Sequence, residues 1–427
     1  MNEFSLKPNL LLGVTNVPTM HDGTAGSTWN DFAAVPGRIR DGSGPAPAAA
    51  HRAHWHDDVM TMRRLNVQTC RIGVDWAAIE PEEGSFDESA TAAFKEELML
   101  LIGMGIRPLL VLHQCADPAW FAAKGGWEKY DNVRCFIIFA EHVVRSFGHL
   151  VSEYITFCRP NACVFQGWVY GAWPPGRKNY RAAMSVMSNF CAAHIRTYRL
   201  IHDVRRELGF SDSRVGFALD YRAFRPKSRY NPAHRAAASE MDRLYQLYPA
   251  QAMLTGEYRL PLRLPGKERH GTFADFLGVD WGGAVTVTRL AFAAAPGAYK
   301  NDLGEELAPA GFGEVCERLY KLRPMQLYLT AGAVDVNDSF RCRFLYDTLR
   351  ALGACRQPVK RFYYDSLLDG FHWADGLYGR TGLVGVDFAS GERCIKRSGE
   401  FFSRIVRRGG VNERMYDKFV AGENYHL

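Results

Sequence analysis

Residues 154–160 read YITFCRP, an apolar alternating run that stops on Cys158, Arg159 and a proline. Such a run is a strand candidate, and residues at the C-terminal end of a barrel strand point to where barrels carry their chemistry. Arg159 brings a permanent cation whose forked donor edge suits carboxylates and phosphates. In TCRIGVDW (69–76), strand alternation puts Arg71, Gly73 and Asp75 on one face, so Asp75 is expected to point into the barrel beside Arg71. Cys70, Cys115 and Cys158, taken with His113, read either as a soft-metal or reactive-thiol site or as structural cysteines. Buried structural thiols are the commoner case, and neither metal nor cofactor is assigned. HRAHWHDD (51–58) gathers three histidines and two aspartates, and reads as a solvated helix start whose aspartates favour the N-terminus.

Eight short apolar runs are available to position these residues: 10–16, 69–76, 107–113, 153–157, 214–220, 275–281, 325–330 and 360–368. They are near-continuously apolar, as strands buried on both faces are. Helical patterns lie between them, for example 131–146 with Val133, Ile137, Ala140 and Val144 on one face. Eight strands separated by helices predict an α/β fold, a single (β/α)₈ barrel occupying residues 1–427 as one domain. DGSGPAPAAA (41–50) is expected to be a surface loop, and no fixed period marks a repeat architecture.

The chain has 427 residues, 47% of them hydrophobic and 23% charged, with a formal net charge of +6. This is an ordinary globular composition with ample apolar surface to bury. Basic and acidic residues are interspersed without a basic stripe, which argues against nucleic acid as a partner. No run approaches the roughly 18 apolar residues of a membrane span, so no membrane partner is expected. MNEFSLKPNLLLGV shows neither the basic region nor the cleavage site of a leader, and the expected location is cytoplasmic. Ten cysteines in so long a chain do not read as a disulfide framework.

Longer motifs resemble one family, the family 1 glycoside hydrolases, which are retaining β-glycosidases such as β-glucosidases on a (β/α)₈ barrel. STWNDFAAVPGRIRDGS (27–43) is similar to the family's W-D-x-F…P-G-x-I-x-D-G-S loop. DDVMTMRRLNVQTCRIGVDWAAIEP (57–81) resembles its E-D-V…Y-R-x-S-I-x-W stretch. GGW (125–127), NDLGEELAPAGF (301–312), SLLDGFHW (366–373) and GLVGVDF (382–388) extend the match almost end to end. Retaining hydrolysis needs two carboxyl groups about 5 Å apart, one as proton donor and one as nucleophile. The family supplies them in T-F-N-E-P after strand four and T-E-N-G after strand seven. Here strand four ends TFCRP, which puts Arg159 at the acid/base position and Cys158 at the neighbouring Asn. Strand seven reads LYLTAGAVD, which puts Ala331 at the nucleophile position with one residue deleted beside it.

By the same resemblance the residues that clamp the sugar have changed. Their positions hold Met20, Gln114, Asp280 with Trp281 and Gly282, His372 and Asp365, while Arg71, Trp76 and Trp373 still match. The resemblance therefore implies a pseudoglycosidase that binds a small polar, carbohydrate-related or anionic ligand at the barrel mouth, with a protein partner also open. The ligand set is Arg71, Asp75, Gln114, Cys158, Arg159, Asp280, Trp281, Asp365, His372, Trp373 and Met20. Two readings of these charges stay open: arginines gripping an anionic ligand, or an internal ion-pair network filling a retired site. Two alternatives accompany this function: an enzyme with altered chemistry in the same pocket, or a β-glycosidase using a relocated carboxylate such as Asp280, Asp335 or Asp338. Trp168, Tyr170 and Trp173 are further candidates to stack on a ligand or close a lid.

Overall fold

The computed structural model describes residues 2–46, 48–266, 270–288 and 291–427. Eight parallel strands form the barrel: β1 (Leu11–Asn16), β2 (Thr69–Gly73), β3 (Arg107–Val111), β4 (Glu153–Cys158), β5 (Arg214–Pro226), β6 (Phe276–Thr288), β7 (Gln326–Ala331) and β8 (Val359–Tyr364). Each pairs in parallel with its sequence neighbour, and β1 pairs with β8, so the sheet closes. All eight expected strands form, with shifted ends. β2 stops at Gly73 rather than running to Trp76, and β5 and β6 continue well past the ends expected for them.

The helices that cover the barrel include α1 (His51–Arg64), α2 (Glu88–Gly103), α3 (Val133–Phe147), α4 (Tyr180–Glu207), α5 (Phe312–Leu322) and α6 (Arg341–Ala354). Of the apolar face expected on helix α3, Val133, Ala140 and Val144 are fully buried and Ile137 is half-buried, with Phe136 and Val143 completing the buried face. Helix α4 begins at Asn179, whose side chain accepts from the Ala182 N–H at 3.1 Å, an N-cap that satisfies an otherwise orphaned donor. The main core lies between strands and helices, where Leu12, Cys70, Leu110, Phe157, Leu277 and Leu329 point outward. Inside the barrel a smaller apolar layer is built from Leu109, Val111, Ile155, Cys158, Ala218, Phe276, Tyr328 and Tyr363. The N-terminal end of the barrel is closed by Glu153, which pairs with Arg361 and accepts from the Tyr328 hydroxyl at 2.9 Å. Glu153 is thus remote from the mouth, as its place at a strand start implies.

Three features of local structure differ from the sequence reading. Residues 51–58 do begin a helix, but it is not a solvated start. His51 and Asp58 are buried, with His51 Nδ1 facing Asp58 Oδ2 and Nε2 facing Glu97 Oε1, each at 2.8 Å. The cysteines include one disulfide, Cys115–Cys163, which ties the loop after β3 to the short helix Pro160–Val164 after β4. The loop 41–50 is not wholly at the surface, because Ala48 and Ala49 are buried; Pro47 lies outside the described residues. No helix among the described residues is long and apolar enough to cross a membrane.

Candidate functional site

The mouth of the barrel is organised by Asp280, which β6 points inward. Arg71 on β2 reaches it across the barrel, donating from Nη1 to Oδ1 at 2.6 Å and from Nη2 to Oδ2 at 2.8 Å. Both side chains are buried, 4% and 0% exposed, so each charge needs the other. Arg71 Nη1 also donates to Thr330 Oγ1 on β7 at 2.7 Å, and Nη2 to the Cys158 thiol. Burial alone would push the Asp280 carboxyl up, but Arg71 and Arg159 overcome it and hold the group well below its ordinary value. Burial raises the Cys158 thiol well above its own, which keeps it a neutral packing group.

Strand β4 delivers Cys158 and Arg159 by means of an irregularity. Its register with β5 shifts between Ile155 and Cys158, the signature of a bulge. Ile155 faces the lumen, Thr156 turns outward to His194 at 2.6 Å, Phe157 joins the outer core, and Cys158 faces the lumen again. Arg159 then adopts a left-handed φ of +53°, immediately before the short helix Pro160–Val164. Its Nε donates to Asp280 Oδ2 at 3.0 Å and its Nη2 to Asp365 Oδ2 at 3.2 Å. Asp365, just past β8, also accepts from Thr15 Oγ1 at 2.5 Å. One guanidinium therefore bridges the two carboxylates.

Above this network lies a cavity of about 300 Å³, bordered by Arg159, Asp220, Arg222, Asp365, Trp173 and Trp373 among others. Gln166, Trp281, Gly282 and His372 also line it. Asp220 and Arg222 follow Gly216 and Ala218 on the inward face of β5, where Arg222 Nε donates to Asp220 Oδ2 at 2.8 Å and the Tyr245 hydroxyl donates to the same oxygen. Gly282 leaves room for this pair, since a Cβ there would lie 2.7 Å from Asp220 Oδ1. Trp173 and Trp373 stack with centroids 5.1 Å apart and form an aromatic wall.

The sequence matches the model of glycosyl hydrolase family 1 over residues 17–276 and 326–411. The chain belongs to glycosyl hydrolase family 1. Among curated relatives, it is 24% identical to β-glucosidase A of Thermotoga maritima over 426 residues, covering 92% of this chain and 94% of that one. It is 26% identical to β-glucosidase A of Acetivibrio thermocellus over 428 residues, covering 91% and 94% respectively. Its fold matches that of the Thermotoga maritima family 1 β-glucosidase in complex with isofagomine lactam, with a TM-score of 0.87, 22% identity and coverage of 96% and 100%. A β-glycosidase from Pyrococcus horikoshii gives 0.87, 25% identity and 98% of each chain.

Of the residues singled out in the sequence, Arg159, Trp281, Asp365, His372 and Trp373 line the cavity, with Arg71, Cys158 and Asp280 forming its floor. The others belong elsewhere. Asp75 is not beside Arg71: β2 has already ended, and the Asp75 carboxylate accepts from the Ala78 N–H at 3.2 Å and from Arg52 Nη2 at 2.9 Å. Its local role as a helix N-cap overrides the extrapolated alternation. Gln114 lines a separate cleft with Asp75 and Pro18. Met20 is buried in an apolar cluster with Trp29, Phe32, Phe371 and Trp373. Trp76 packs outside the barrel, stacked on Phe139 at 5.1 Å.

Ala331 does end β7, but it faces the outer core; the inward residues of that strand are Tyr328 and Thr330. The lumen position at this family 1 strand end is therefore a threonine. Asp335 and Asp338 do not reach the mouth. Asp335 is fully buried and accepts from the Phe340 N–H at 2.8 Å just before α6, while Asp338 accepts from Ser398 Oγ at 2.5 Å. The thiols and His113 do not converge either: Cys70 points outward, Cys115 is in the disulfide, and His113 Nε2 faces Asp117 Oδ1 at 2.9 Å. Trp168 is anchored to Glu128 at 2.8 Å, and Tyr170 packs on Phe292. Sequence reasoning missed Asp220, Arg222 and Gln166. For the first two a signal was present, the alternation D-Y-R at 220–222, which a longer β5 would have carried into the site.

Proposed function

We propose that this family 1 chain has lost retaining β-glycoside hydrolysis and holds a small polar ligand at the C-terminal mouth of its barrel. The observation that carries this reading is the Arg159 bridge. The residue at the family's proton-donor position is a cation engaged with both Asp280 and Asp365. Burial favours a neutral guanidine, yet those two carboxylates hold Arg159 firmly protonated, so it has no proton to give near neutral pH. The inward end of β7 offers a hydroxyl, Thr330, already accepting from Arg71. Asp280 is fully buried and doubly paired, which argues against its acting as nucleophile or acid. Residues 1–427 act as one cytoplasmic domain in this reading, and the ligand is a small molecule rather than nucleic acid or membrane.

The test is a search for the covalent intermediate of retaining hydrolysis. Incubated with an activated 2-deoxy-2-fluoro-β-glucoside, the protein is expected to show no mass increase, and an aryl β-glucoside no release above buffer. A glycosyl ester on any carboxylate, or turnover abolished by Asp220→Asn or Asp365→Asn, overturns the reading in favour of a relocated catalytic pair.

A further inference from the structure

We propose that the cavity is built for a sugar acid, a hydroxyl-rich monosaccharide-sized molecule bearing one carboxylate, and that the free edge of Arg222 receives that carboxylate. The inference rests on the ligand-binding reading above and names the ligand class.

The donors in the cavity are unevenly used. Arg222 donates only from Nε, to Asp220, and its two terminal nitrogens have no protein partner among the described residues. Arg159 uses Nε and Nη2 and leaves Nη1 without one. The side-chain amide of Gln166 adds another donor on the same wall with no partner among the described residues. A half-buried guanidinium edge with no acceptor forgoes charge-assisted hydrogen bonds, and a planar carboxylate is the group that matches it in two parallel bonds.

Arg222 is also fixed in aim. Asp220, which holds its Nε, is 3% exposed and is itself held by the Tyr245 hydroxyl, while the Asp220 N–H donates to Asn161 Oδ1 at 3.0 Å. A guanidinium oriented by a buried carboxylate loses little freedom on binding, which is how preorganisation raises affinity.

Size and walls set the remainder of the ligand. A cavity of about 300 Å³ is at the lower end of ligand sites, which run from about 300 to 1,000 Å³, and suits one sugar unit better than a chain. The stacked pair Trp173 and Trp373 offers an apolar face of the kind that covers the C–H side of a polyol.

The opposing charge is Glu305, an exposed carboxylate close enough to Arg222 to help hold it protonated. A bound carboxylate has to compete with it, and this separates an acid from a neutral sugar. Neutralising Glu305, which also lines the cavity, should strengthen binding of the acid and should not strengthen that of a neutral sugar. A single negative charge also meets less repulsion from Asp220, Asp365 and Glu305 than a phosphate dianion does.

The experiment is calorimetric titration of the full chain with D-glucuronate, D-glucose and inorganic phosphate as probes. Glucuronate is expected to bind at least tenfold more tightly than glucose or phosphate. Glu305→Gln is expected to tighten glucuronate severalfold, and Arg222→Gln and Arg222→Lys each to weaken it at least tenfold, the lysine keeping the charge but not the fork. Melting curves of the variants identify any that fail to fold, and Glu305→Gln, on an exposed loop, carries the test in that event. Glucose binding as tightly as glucuronate, or glucuronate binding indifferent to Glu305→Gln, overturns the acid while leaving the ligand-binding reading standing. Phosphate binding in preference to glucuronate overturns the carboxylate. Failure of all three probes overturns the proposal, whereas a covalent glucosyl adduct in the separate trapping assay overturns the loss of hydrolysis.

Discussion

Asp280 is the residue on which the mouth depends, because two guanidinium groups and a thiol are arranged around it in a space closed to water. Removing its charge leaves Arg71 buried and uncompensated. Asp280→Asn is therefore expected to destabilise the fold by about 3–5 kcal/mol, the usual cost of breaking a buried ion pair from one side, as read by urea unfolding. The pH dependence has a definite sign. A carboxyl whose folded value lies below its ordinary 3.8 contributes stability that is full above that value and lost as the pH falls below it. The acid limb of the stability curve below about pH 4 should accordingly be shallower in Asp280→Asn than in the wild type. Cys158 and Arg159 were legible in the sequence because a proline marks the strand end beside them. Asp75 and Ala331 were not, since inward or outward facing depends on where a strand stops and on its register, and neither is written in the local pattern.

At the scale of elements, the eight strands could be read from their apolar runs, but the bulge in β4 could not, although it turns Cys158 inward. The disulfide was equally hidden, since Cys115 and Cys163 are 48 residues apart with no spacing rule to join them. Closing a loop of that length is expected to contribute about 2–4 kcal/mol, so treatment with a dithiol reductant should lower the urea midpoint while Cys163→Ser shows no further loss on reduction. A second hidden feature is the pair formed by His51, at the start of helix α1, and His21, in the short helix Pro18–His21 after β1. Burial favours neutral His51, but Glu97 and Asp58 raise it well above 6.5; burial and the His51 charge lower His21 to about 4. Stability from His51 is full below 6.5 and lost as pH rises through its raised value. Stability associated with neutral His21 is lost as pH falls from 6.5 towards 4, by roughly 3 kcal/mol at most. Replacing His51 with Gln should flatten the alkaline limb, and replacing His21 with Asn the acid limb, in stability measured across pH 4–9.

Across the whole molecule, the barrel is that of family 1 while its mouth is packed differently on two sides. On the side of β1 and β8, the Met20 position joins Trp29, Phe32, Phe371 and Trp373 in an apolar cluster. The open cavity runs from Arg159, Asp220, Arg222 and Trp281 at the ends of β4, β5 and β6 across to Asp365, His372 and Trp373 after β8, so Trp373 borders both the cluster and the cavity. The apolar packing of Met20 makes a strong prediction about restoration. If only the two catalytic groups were missing, Arg159→Glu with Thr330→Glu would recreate a carboxyl pair at the ends of β4 and β7. Met20, at one of the positions that by the resemblance hold the sugar, would still be packed in the apolar cluster, and the carboxylate introduced by Arg159→Glu would face Asp280 and Asp365 as a like charge in place of their bridge. The double variant is expected to stay far under the roughly 10 s⁻¹ of a typical enzyme on an aryl β-glucoside, with circular dichroism confirming a folded barrel. Recovery of an ordinary rate in that variant would show that the sugar place is intact and that loss of hydrolysis came from the two side chains alone, whereas continued inactivity on adding Met20→Gln would locate the obstacle in the packing of the mouth as a whole.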